Sequence, residues 1–122
     1  MTSGANHPPR ETSDRPPHYI KEWRDFMGWT QEDLADMAHV SQSKIARLES
    51  GERKLKTEFL RDLARVFRVP QSALLEVDPS TKAGAQTASM LLAWNELTEA
   101  QRGDMLTMMR ALATKDTKPN AG

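Results

Sequence analysis

The residues of this chain that can do chemistry are suited to hydrogen bonding and charge, and not to bond making. Its three histidines, His7, His18 and His39, have no metal-ligand spacing, and the absence of cysteine removes a thiolate nucleophile, a thiolate zinc site and any disulfide. No glycine-rich phosphate loop and no nucleophile paired with a recognisable base is present. Catalysis, a metal site and a cofactor are therefore not expected. What remains is concentrated between Gln31 and Lys56, where Gln31, Gln42, Ser43, Lys44 and Arg47 carry donors and acceptors. From Ser41 to Lys56, Lys44, Arg47, Arg53, Lys54 and Lys56 stand against Glu49 and Glu52, an excess of three positive charges. The preceding stretch holds Glu32, Asp33 and Asp36 and no cation. Over the whole chain 17 basic and 17 acidic residues cancel, so a local field, rather than the net charge, has to attract a phosphate-bearing partner.

Two short helices must position these residues. Thr30 and Ser41 are each placed to accept a hydrogen bond from a free backbone N–H of the turn that follows, which marks two helix starts. Leu34, Ala35, Met37 and Ala38 in the first helix, and Ile45 and Leu48 in the second, recur at helical spacing. Gly51 is placed to end the second helix in the left-handed conformation. Ala35 lies where the two helices approach, and Val40 is placed to pack inward and set the angle between them. A helix pair joined by so short a turn serves mainly to hold its second member against a DNA major groove.

Around this pair the pattern predicts an all-α fold. A helix from Tyr19 or Ile20 to about Met27 is closed by Gly28. Thr57 is a candidate cap for a helix whose Leu60, Leu63, Ala64 and Phe67 form a buried face. A further helix starts near Pro70, with Leu74 and Leu75 closing the core before Asp78 and Pro79. The expected organisation is a disordered tail over 1–18, a compact five-helix bundle over 19–78 and a polar linker over 79–86. A C-terminal helical hairpin over 87–113 and a loose tail over 114–122 complete it. Within the hairpin, Thr98 with Gln101 forms a capping box, and Leu91, Trp94, Met105, Met108, Met109 and Leu112 supply an apolar stripe that needs a partner.

The stretch Thr30–Gly51, with its flanking helices from Tyr19 to Asp78, resembles the lambda-repressor-like, Cro-type (XRE) helix-turn-helix regulators. The departure is His39, where the family usually has glycine in the turn; histidine is among the side chains better tolerated at positive φ. The resemblance implies sequence-specific binding of double-stranded DNA and regulation of transcription. It assigns Gln42, Ser43, Lys44 and Arg47 to base edges, with glutamine suited to adenine and arginine to guanine. Gln31, Arg53, Lys54 and Lys56 are assigned to phosphates, which set register without reading sequence. It further implies a buried ion pair between Arg24 and Glu49, and a contact of Glu32 and Asp36 with RNA polymerase, against which stands their simpler role of complementing the helix dipole.

The hairpin can cover its stripe with the chain's own bundle, another protein or a second copy; because one helix-turn-helix buries too little DNA for high specificity, the favoured expectation is a homodimer reading pseudo-palindromic half-sites. The alternative is an antitoxin that autoregulates through the same bundle and caps a toxin with its hairpin. No apolar run approaches the ~20 residues of a membrane span, and no signal-peptide core is present. The expected location is cytoplasmic, with no membrane partner.

Overall fold

Several helices of the bundle start or stop where the local sequence provides partners for unpaired backbone groups. A computed structural model describes residues 15–117, which hold seven helices and no strand. They are α1 (Ile20–Met27), α2 (Gln31–Ala38), α3 (Gln42–Ser50), α4 (Thr57–Phe67), α5 (Gln71–Glu76), α6 (Lys82–Asn95) and α7 (Glu99–Thr117).

Thr30 caps α2 reciprocally: its hydroxyl accepts from the Asp33 N–H at 3.0 Å, while the Asp33 carboxylate accepts from the Thr30 N–H at 2.8 Å. Ser41 caps α3 by accepting from the Lys44 N–H at 3.2 Å. Gly28 (φ 76°) and Gly51 (φ 88°) end α1 and α3 in the left-handed region. His39 (φ 59°) does the same for α2, and Arg68 (φ 64°) for α4. Two non-glycine residues thus hold a conformation that costs a side chain energy, and each ends a helix whose neighbours keep it in place. Thr57 is not the cap of α4: Lys56 occupies that position without a side-chain bond, and Thr57 is the first helical residue.

The chain divides into two units, one ending at Ser89 and one beginning at Met90. The core of the first is built from Ile20, Trp23, Leu34, Ile45, Leu48, Leu63, Phe67 and Leu74, all essentially inaccessible. Trp23 is its pivot. The indole meets Phe67 edge-on at 6.2 Å, and its N–H donates to the carbonyls of Ala73 and Val77 at 3.0 Å each. A buried indole N–H is thereby satisfied, and the carbonyls at the end of α5 are tied to α1. Leu75, expected in the core, is exposed, because α5 is a single short turn-and-a-half with Ala73 and Leu74 inward.

Both borders of the bundle differ from the sequence reading. At the front, residues 15–18 are in place: His18 is only 4% exposed, and Arg15 pairs with Glu22 at 3.2 Å and lies over the Tyr19 ring. The rest of the expected tail, residues 1–14, falls outside the described residues. At the back, α6 starts at Lys82, inside the stretch read as a linker. Thr81 explains the start. Its hydroxyl accepts from the Gly84 N–H at 2.9 Å and donates to the Asp78 carbonyl at 2.9 Å, and Ala88 of α6 is fully buried.

In the second unit, Thr98 and Gln101 cap α7 reciprocally, at 2.8 Å and 3.1 Å. The Arg102 guanidinium donates to the Trp94 carbonyl at 3.0 Å and lies near the indole face, fixing the turn between the end of α6 and α7. Along α7, Met105, Met108, Met109 and Leu112 are exposed, from 39% to 59%. The helix continues to Thr117, past the expected end of the hairpin, and residues 118–122 lie outside the described residues.

Candidate nucleic-acid interface

α3 has two faces with different fates. Ile45, Leu48 and Glu49 turn into the core, whereas Gln42, Ser43 and Arg47 are exposed. Three apolar or paired anchors within nine residues leave the helix little freedom to roll, so its outward side chains are presented on a fixed axis.

The anchor at Glu49 is ionic. Its side chain is 3% exposed and receives Arg24 Nε at 2.7 Å and Nη2 at 3.0 Å, a bidentate fork. Arg24 Nη1 also donates to the Trp29 carbonyl at 2.7 Å. The hydrogen bonds it donates to Glu49 hold the Arg24 guanidinium firmly in its charged form, raising its pKa against the opposing effect of burial. One residue of α1 thus fixes both α3 and the turn into α2.

From this pair a polar chain runs outward. Gln31 Nε2 donates to Glu49 Oε1 at 3.0 Å, and Gln42 Nε2 donates to Gln31 Oε1 at 3.3 Å. Gln31, expected at a phosphate, therefore has its amide engaged on both sides within the protein. Gln42 is exposed yet oriented by Gln31. Arg24, Glu49, Gln31 and Gln42 form one connected network from core to surface.

Lys44 is held differently from its neighbours. Its ammonium lies 4.1 Å from the centroid of the Phe59 ring, a cation–π contact, and the residue is half-buried. Arg53, Lys54 and Lys56 are exposed on the loop after α3, and with Lys44 they line a small hollow of about 30 Å³ beside Phe59. The loop is tied to the helix it follows, since the Arg47 carbonyl accepts from the Arg53 N–H and the Ser50 hydroxyl at 3.1 Å each. Four cations thus gather around Phe59, one from the first turn of α3 and three from the loop after it. Glu32 and Asp36 are exposed on α2.

An N-terminal helix is followed by a capped helix pair joined by the three residues His39, Val40 and Ser41, and then by a cation-bearing loop. Residues 20–70 match the model of the helix-turn-helix family. The chain also matches a competence pilus inhibition repressor of Acinetobacter baylyi, 39% identical over 55 residues, which are 45% of this chain and 50% of the relative. The chain spans about half the length of that relative. Among solved structures, a transcriptional regulator from Listeria innocua aligns with 84% of this chain and 97% of its own, at 20% identity and a TM-score of 0.42.

Around the helix pair, Phe59 and His18 have no role in the sequence reading, and Arg15 belongs there only to the tail over 1–18. Phe59 looks like core in the pattern, and its role as the platform for Lys44 depends on the α3–α4 packing. Arg15 and His18 sit in a proline-rich stretch whose composition resembles a loose tail. His18 is buried, with Nδ1 accepting from the Ile20 N–H at 3.4 Å and the Leu48 backbone in hydrogen-bonding reach. Burial is the main cause that lowers its pKa, with Arg15 acting in the same direction and Glu22 and Glu49 opposing. Among the described residues no cluster has the makings of a metal site, and no helix is long and apolar enough to cross a membrane.

Proposed function

We propose that this protein is a sequence-specific DNA-binding repressor of transcription that works as a dimer on pseudo-palindromic half-sites. The observation that carries the reading is the division of α3: Ile45, Leu48 and Glu49 fix it in the bundle, while Gln42, Ser43 and Arg47 remain exposed. In this reading α3 enters the major groove, Gln42 addresses an adenine edge, Arg47 a guanine edge, and Ser43 is permissive. Arg53, Lys54 and Lys56 take backbone phosphates. Lys44, restrained over Phe59, reaches the groove from a platform instead of as a free tether. Gln31 acts by orienting Gln42, and a contact of its own with phosphate requires it to exchange one of its two protein partners.

The name of the A. baylyi relative supports repression over activation. Dimerisation is supported by the exposed Met105, Met108, Met109 and Leu112 of α7, at i, i+3, i+4 and i+7, an apolar stripe that water disfavours. A two-fold pair would double the bases read and raise specificity above that of a single module.

The test is selection of bound duplexes from a random pool by the full chain, followed by footprinting. Enriched inverted half-sites about 10 bp apart, or a multiple of that, are expected. Failure to retain any duplex at low ionic strength would remove the reading.

A further inference from the structure

Residues 15–18 and the loop after α3 bound a cleft of about 320 Å³. Arg15, Arg53 and Lys54 line it, and none of the described residues lining it is acidic. Pro16, Pro17 and Leu55 add apolar walls, and the buried His18 completes the lining. The volume is at the small end of ligand sites, which combine apolar walls with a few convergent polar groups.

The walls are ordered by contacts within the protein. Arg15 is held by Glu22 at 3.2 Å and lies 4.6 Å from the Tyr19 ring centroid. His18 is fixed by the Ile20 N–H, and Arg53 by its backbone bond to the Arg47 carbonyl. Glu22 lines a second, smaller hollow that shares Arg15, Pro16 and His18 with the cleft. With the Arg15 side chain and the Arg53 backbone already held, the cleft needs less reorganisation to receive an anion, which favours binding.

We propose that this cleft is a binding site for a small phosphate monoester. The phosphoryl dianion would lie among Arg15, Arg53 and Lys54, and a compact apolar body would rest on Pro16, Pro17 and Leu55. Three cations match a doubly charged group better than a carboxylate. Arg53 and Lys54 are also the residues assigned above to DNA phosphates. The consequence for regulation rests on that assignment: the ligand occupies two cations that the duplex needs, so ligand and DNA compete, and the cleft makes the repressor responsive to a metabolite. The same chemistry has a second source, a phosphate of the duplex itself, and the experiment separates the two.

The full chain is titrated calorimetrically with phenyl phosphate at constant ionic strength, without DNA. Saturable binding of one equivalent is expected. It should weaken about tenfold or more in Arg15→Gln, which removes a charged donor, and stay unchanged in Arg61→Gln, an exposed arginine of α4 outside the cleft. Absence of saturation, or equal weakening in both variants, overturns the site. In a second arm, phenyl phosphate is added to the protein–duplex complex. Loss of DNA affinity in wild type, abolished in Arg15→Gln while DNA affinity without ligand is unaltered, supports the competition. If Arg15→Gln weakens DNA binding and phenyl phosphate does not bind, the cleft holds a backbone phosphate and the small-ligand proposal is overturned. A wild-type protein that ignores DNA but binds phenyl phosphate sinks only the regulatory consequence, because the first arm contains no duplex.

Discussion

Arg24 and Glu49 join the first helix to the exposed helix of the domain through two parallel hydrogen bonds, Nε to Oε2 at 2.7 Å and Nη2 to Oε1 at 3.0 Å, with the carboxylate side chain 3% exposed. Such a pair is costly to desolvate, so its net contribution is smaller than its geometry suggests. Breaking it is a different matter, because the remaining charge is stranded. Glu49→Ala should therefore lower the unfolding free energy by about 3 kcal/mol or more, read from urea denaturation. It also releases Gln31, and through it Gln42. A loss below about 1 kcal/mol would place the pair in the class of exposed ion pairs and contradict the buried reading.

The two kinds of DNA contact should separate under mutation. Arg47→Ala removes an exposed candidate reader and is expected to cost about 1–3 kcal/mol at the preferred site while relaxing preference at one base pair. Lys54→Ala should weaken all duplexes alike and reduce the slope of log affinity against log salt by about one ion. Affinities on cognate and scrambled duplexes at three salt concentrations measure both. An Arg47→Ala protein with unaltered sequence preference would exclude the residue from base reading.

Why the helix-turn-helix was legible and its borders were not follows from the range of the interactions involved. Thr30, Ser41, Gly28 and Gly51 act on backbone groups within a few residues, so sequence spacing is sufficient to place them. The all-α architecture, resting on the periodicity of Leu60, Leu63, Ala64 and Phe67, was legible for the same reason. Lys82–Gln86 read as a polar linker because the stretch has no strong apolar period; it is helical through the Thr81 cap and the burial of Ala88. His18 was hidden by its prolines. Its burial depends on α1 and α3 coming together, a tertiary event that composition does not record. The network from Gln42 to Glu49 has a similar origin, as its members are 11 and 18 residues apart.

His18 gives the domain a pH dependence of definite sign. Burial holds the folded-state pKa below the ordinary 6.5, so the unfolded chain takes up a proton first as the pH falls. Stability is full above the unfolded value, declines as the pH drops through 6.5 and levels off once the folded-state value is passed. Denaturation midpoints measured between about pH 7.5 and 5.5 should fall with acidity, and His18→Asn, which keeps an acceptor near the Ile20 N–H but does not titrate, should flatten that decline. Equal slopes in the two proteins would assign the effect to other groups.

The apolar stripe of α7 makes a prediction about mass. If Met105, Met108, Met109 and Leu112 are covered by a second copy, then the pair Met105→Glu and Met109→Glu places charges in an apolar seam and should convert a dimer to a monomer in sedimentation equilibrium. Specific DNA affinity should fall with it, while a single half-site is bound nearly as before. A wild-type chain that sediments as a monomer at micromolar concentration would remove the homodimer and leave the stripe to a different protein, such as a toxin.

Two glycines in helices offer an internally controlled test of how α6 begins. A Cβ at Gly84 would overlap the backbone carbonyl of Asp78, the same oxygen that accepts from Thr81. At Gly103 of α7 nothing lies within 4 Å of an added Cβ. Alanine is the better helix former by about 1 kcal/mol, so intrinsic propensity alone would favour both replacements. At Gly103 that preference should act unopposed, and Gly103→Ala is expected to leave the helix content unchanged or raise it. At Gly84 the overlap is with main chain that cannot rotate away, so the helix start has to separate from the 78–81 turn. Gly84→Ala should destabilise the first unit by about 1–3 kcal/mol, the range for forced overpacking, and loosen Ala88 from its buried seat. Hydrogen exchange at the Gly84 and Ala85 amides, which bond to Thr81, reports that loosening directly. Protection equal to wild type in Gly84→Ala would mean that the start of α6 is not fixed by its approach to Asp78.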